Sequence, residues 1–73
     1  MNVTTEVWRR VNGFGTEAAI LHITPHAVGA TYFLNGRQTN SEVQSFEGET
    51  VERFHTNLTE EGYERIHRSD VSL

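Results

Sequence analysis

Val51, Phe54 and Leu58 fall at i, i+3 and i+7, a helical stripe in a chain whose other apolar residues alternate or run in short blocks. One amphipathic helix can cover one face of one small sheet. That restricts the chain to an α+β layer pair. Glu47 and Glu49 precede the stripe, where acids complement the positive end of a helix dipole. Gly62 follows it and suits the C′ position that closes a helix.

Strand signals surround this helix. Residues 3–11, VTTEVWRRV, alternate with period two. Val3, Thr5, Val7, Arg9 and Val11 share one face; Glu6, Trp8 and Arg10 take the other. Asn12-Gly13-Phe14-Gly15 predicts a hairpin turn. Residues 18–24, AAILHIT, are short enough to favour a buried strand, and Pro25 ends it because it cannot donate to a central ladder. Residues 28–34, VGATYFL, form a third strand, and Asn35-Gly36 predicts a type I′ turn. The return segment 37–45, RQTNSEVQS, is polar, so it is expected as an edge strand or an irregular arm. Strand character resumes over Tyr63–Arg68, and Ser69–Leu73 is expected to fray. The predicted order is β-β-β-β-α-β: a small antiparallel sheet of about four to five strands packed against one helix, in one domain over residues 1–73.

The string Arg53–Gly62, RFHTNLTEEG, supports a second local reading. It resembles the junction in winged-helix regulators where a wing strand meets a C-terminal helix. That resemblance implies an N-cap at Thr59 and helix, not strand, over Tyr63–Arg68. It covers ten residues, and no helix-turn-helix pattern precedes it.

Composition excludes several chemistries. With 73 residues and no cysteine, the chain has no disulfide or zinc-thiolate site to reinforce a thin core. All six basic residues are arginine, which removes Schiff-base and P-loop lysine chemistry. No apolar run approaches the ~18 residues of a membrane helix, and MNVTTEVWRR lacks the pattern of a signal peptide. The glycines form no phosphate cradle, and no serine sits in a nucleophile elbow. Enzymatic activity and a cofactor are therefore not expected.

Two functional alternatives rest on specific residues. His22, His55 and His67 could assemble a metal or catalytic site across the sheet, with Glu52 and His55 forming a single E-x-x-H pair. Trp8, Arg9, Arg10 and Arg37, with Tyr32 and Phe33 nearby, could bind nucleic acid weakly by stacking beside positive charge. The formal charge of −4 disfavours phosphate binding.

Charge asymmetry carries the leading expectation. Residues 41–64 hold Glu42, Glu47, Glu49, Glu52, Glu60, Glu61 and Glu64 against Arg53 alone, a local charge of −6. A concentrated negative surface steers and docks basic partners. Glu49, Glu52, Glu60 and Glu61 are the expected docking residues, with an exposed Tyr63 or Trp8 as aromatic anchor. The profile of a tiny, acidic, cysteine-free domain is similar to phage-encoded inhibitors of host defence, including anti-CRISPR proteins. This resemblance implies a protein that occupies a basic or nucleic-acid-binding surface of a larger complex, in the cytoplasm of a bacterial or archaeal host. A sheet covered on one side only also leaves a homodimer as an expectation.

Overall fold

The computed structural model describes residues 2–45 and 50–72. The elements run β1 (Asn2–Asn12), β2 (Gly15–Ile23), β3 (Ala27–Leu34), β4 (Arg37–Ser45), α1 (Thr50–Glu60) and β5 (Glu64–Ser72). This is the predicted α+β order. The five strands form one antiparallel sheet in the order β4-β3-β2-β1-β5. The first four strands make a meander; the chain then passes through α1 and returns beside β1.

Local chemistry explains the turns. Asn35 and Gly36 have φ of 51° and 83°, the two left-handed positions of a type I′ turn, and Leu34 pairs directly with Arg37. The β1–β2 loop is equally short, with Asn12 paired to Gly15. Thr24-Pro25-His26 joins β2 to β3, and the Thr24 hydroxyl accepts from the Ala27 amide at 3.1 Å. Helix α1 ends in a Schellman motif: Tyr63 N–H donates to the Leu58 carbonyl at 2.9 Å and Gly62 N–H to that of Thr59 at 3.1 Å. Leu58 and Tyr63 both enter the core, supplying the apolar contact that accompanies this cap.

Residues paired across antiparallel strands share a face. The helix side of the sheet therefore carries Glu6, Trp8 and Arg10 of β1, Ala19 and Leu21 of β2, and Val28 and Ala30 of β3. Trp8, Ala19, Leu21, Val28 and Ala30 pack with Phe54, Leu58 and Tyr63 as the buried core. The alternation of β1 leaves either face eligible for burial. The structure buries the one that holds a carboxyl group, because the indole of Trp8 brings more apolar area than any valine.

In the C-terminal part the expected strand is present, the alternative helix is absent, and the expected fraying is corrected. Tyr63–Arg68 is not helical: Glu64–Ser72 is strand, paired to β1 from Asn2↔Ser72 to Arg9↔Glu64. The winged-helix likeness of RFHTNLTEEG thus has no counterpart in the fold. Ser69–Ser72, expected to fray, is held in this same ladder. Local composition reads as a tail there; the pairing that orders it comes from the other end of the chain. The proposed first-turn acids Glu47 and Glu49 lie outside the described residues.

Candidate interaction surface

Glu6 is the residue that sequence reasoning passed over. It is 1% exposed, at the centre of the sheet–helix interface. Its Oε1 accepts from Trp8 Nε1–H at 3.0 Å and lies 2.7 Å from His55 Nε2. Arg65 Nη1 stands 3.5 Å from Oε2. The cluster draws on three elements: β1 supplies Glu6 and Trp8, α1 supplies His55, and β5 supplies Arg65. His55 also lies against the indole, with ring centroids 5.3 Å apart. A carboxyl that orients an imidazole is part of many hydrolytic sites. Among the described residues, however, no hydroxyl shares a hydrogen bond with His55. What the arrangement does is satisfy buried polar groups and tie helix and last strand to β1.

The other histidines are placed apart. By register, His22 and His67 lie on the sheet face opposite α1, opposite Gly29 and Val7 respectively. His55 lies on the helix side. The proposed His22/His55/His67 site is thus divided by the sheet, and among the described residues no group of three metal-ligating side chains comes together. Glu52 is exposed, and the partner of His55 is Glu6 rather than its E-x-x-H neighbour.

The aromatic–arginine surface is divided in the same way. Trp8 and Arg10 face the helix, whereas Arg9 and Phe33 face away. Arg10 is committed elsewhere. It pairs with Glu17, donates to the Glu61 carbonyl at 2.6 Å, and lies 4.6 Å over the Tyr63 ring. Tyr63 in turn donates to Glu17 at 3.1 Å. Hydrogen bonds from Arg10 first, and then Asn12, hold the Glu17 carboxyl below its ordinary pKa. This cluster clamps the end of α1 to the β1–β2 hairpin.

The expected aromatic anchors are also corrected. Trp8 and Tyr63 are each 7% exposed, so neither can meet a partner. Both are held in by polar tips that find acceptors, the buried Glu6 and the half-buried Glu17. Among the described residues, the exposed aromatic is Phe14, 85% accessible at the tip of the β1–β2 hairpin. Two hydrogen bonds hold its backbone, and a third holds that of Thr16. Phe14 N–H donates to Asn12 Oδ1 at 2.8 Å, Asn35 Nδ2 donates to the Phe14 carbonyl at 3.3 Å, and Asn35 Oδ1 accepts from Thr16 N–H at 3.0 Å. The side chain of Asn35 thus staples the two hairpins at this end of the sheet. The G-x-G turn was legible in sequence; the staple was not, because its members are far apart along the chain.

Of the expected docking acids, Glu52, Glu60 and Glu61 are all exposed on or just after α1. Glu49 lies outside the described residues. Glu60 and Glu61 sit at the negative end of the helix dipole, and the last turn has no basic residue. Acids there cost helix stability. They share the Phe14 end of the domain, since Arg10 bridges Glu61 to the hairpin that Phe14 caps.

Tyr32 yields a check on this geometry. Partial burial, and then the charge and hydrogen bond of Glu42 at 3.4 Å, push its hydroxyl up to about 12. Burial also raises that of Tyr63. An absorbance titration at 295 nm is expected to show neither tyrosine ionising near its ordinary value of about 10. The folded value is the higher one. The stability from Tyr32 is therefore fully present below about pH 10 and lost as pH rises toward 12. A single midpoint near 10 in the folded protein would refute this packing.

No family model, curated protein or solved structure matches this chain. Among the described residues, no helix is long and apolar enough to cross a membrane.

Proposed function

We propose that this chain is a non-enzymatic protein-binding module that docks its acidic helix end on a basic surface of a larger protein. Glu52, Glu60 and Glu61 steer the encounter, and Phe14 replaces Trp8 and Tyr63 as the aromatic anchor. A basic surface of this kind is one that ordinarily holds nucleic acid, so the module acts as an inhibitor by occupation, as in phage-type anti-CRISPR proteins. It would work in the cytoplasm of the host cell.

The observation that carries this reading is the placement of Glu60 and Glu61. Acids at a helix C-terminus oppose the macrodipole, and a side chain that costs local stability is better explained by a partner than by the fold. At the same end of the domain stands an exposed phenylalanine whose backbone is hydrogen-bonded on both its N–H and its carbonyl. Interface energy concentrates in such aromatic anchors ringed by polar contacts.

The test separates binding from folding. Glu60→Arg with Glu61→Arg is expected to stabilise the domain by about 0.5–1 kcal/mol through the dipole, raising the melting temperature by a few degrees. Adding Glu52→Arg is expected to weaken binding to the partner recovered by affinity capture at least 100-fold. Phe14→Ala should weaken it about tenfold without altering the melt. Unchanged affinity of the triple variant at low salt sinks the reading.

A further inference from the structure

We infer that the sheet face opposite α1 is the surface on which two copies of this chain meet, stacking sheet on sheet about a two-fold axis. The first ground is the pattern of side chains. An antiparallel sheet with one solvated face shows polar residues on that face. Here the outward positions of the three central strands include Val3, Val7, Ala18, Ile20 and Phe33, all half-buried within the monomer. Val43 on β4 and Val71 on β5 extend the surface to both edges and are 76% and 49% exposed. The open face thus carries an uncovered apolar strip, set among the polar Thr5, His22, Thr31, Ser41 and Ser69.

The second ground is charge. By register, Glu6, Glu17, Glu42 and Asp70 lie on the helix side, and Glu52, Glu60 and Glu61 lie on or beside the helix. Among the described acids, only Glu64 belongs to the open face, at its end and opposite Arg9. A copy of a protein with net charge −4 is repelled by most of this surface. The open face is where two copies can approach without desolvating a row of carboxylates. Among the described residues, a strongly basic partner would find only Glu64 to pair with there, and a strongly acidic one only Arg9, His22 and His67.

The third ground is area. Five strands about 4.8 Å apart and about nine residues long present about 700 Å2, close to the ~800 Å2 per partner of a stable interface. Gly29 leaves a recess beside His22, Thr31, Ser41 and Val43, into which a side chain of the facing sheet can fit. Sheets stacked in this way pack about 10 Å apart with interdigitated side chains. The second copy supplies the missing layer of a thin core.

Sedimentation equilibrium of the full chain over a wide concentration range tests this. The wild type is expected to be a dimer at micromolar concentration. Ile20→Glu, at the centre of the face, is expected to raise the dimer dissociation constant at least 100-fold. Val43→Glu with Val71→Glu changes only exposed positions and keeps the test valid if Ile20→Glu fails to fold; it is expected to raise the constant at least tenfold. The Glu52, Glu60 and Glu61 reversal should leave the dimer intact, which separates this interface from the docking acids. A wild-type monomer at all concentrations, or a dimer indifferent to the Val43/Val71 pair, overturns the inference.

Discussion

Glu6→Ala is expected to lower the melting temperature by about 15 °C or more, at neutral pH and moderate salt. The substitution removes the acceptor that serves Trp8, His55 and Arg65 together. The loss leaves the buried indole N–H of Trp8 without an acceptor and a cavity where a fully buried side chain was packed, together about 3–5 kcal/mol. For a domain of this size each kcal/mol is worth about 4–8 °C. The whole stability of 73 residues is on the order of 4–11 kcal/mol, so much of it is at stake. Glu6→Gln keeps an acceptor for the indole and should cost less. His55→Ala should also cost less, since His55 is only partly buried. Circular dichroism melts of the three variants give the ordering. A loss of under about 3 °C for Glu6→Ala would show that the cluster contributes little.

The second large effect lies in the β1–β2 turn, where two glycines two residues apart are expected to behave oppositely. Gly15 has φ of 133°, and a Cβ there would land on the carboxamide of Asn35. Gly15→Ala therefore combines backbone strain of about 1–3 kcal/mol with displacement of Asn35. Asn35 holds Thr16 and Phe14, so the staple between the two hairpins is lost with it. A drop in melting temperature of about 10 °C or more is expected. Gly13 has open space around its Cα and a φ outside the left-handed region. Gly13→Ala is expected to be neutral or stabilising by about 0.4–1 kcal/mol through the unfolded chain. Equal melts for the two variants would refute the staple. Partner binding offers a second readout, because a loosened tip no longer holds Phe14 in place.

The contrast between these sites shows what local sequence can carry. Strand alternation, the Asn35-Gly36 turn, the Val51/Phe54/Leu58 stripe and the Gly62 stop are all encoded within a few residues, and each was readable. So was the exposure of Glu52, Glu60 and Glu61, because acids clustered on a helix of known apolar face must point outward. Glu6 was not readable as core. Its burial depends on His55 and Arg65, which only the register of β5 and the docking of α1 bring near. The anchors failed for the same reason. Trp8 and Tyr63 look available in sequence, and their acceptors are visible only in three dimensions. Phe14 reads in sequence as part of a hairpin turn, and its presentation rests on the stapling side chain of Asn35.

Strand order also sets a timetable. Strand β1 sits between β2, which follows it immediately, and β5, which arrives with Ser72. At synthesis rates of about 5–20 residues per second, β1 waits on the order of seconds for its second neighbour. Throughout that interval one edge of a strand with apolar residues on both faces is a bare row of donors and acceptors, open to any extended segment nearby. The ladder that closes it has the longest sequence separation in the fold, which slows its formation further. A nascent chain of this protein is thus a template for strand addition, and it becomes a finished sheet only after Ser72 is free to pair.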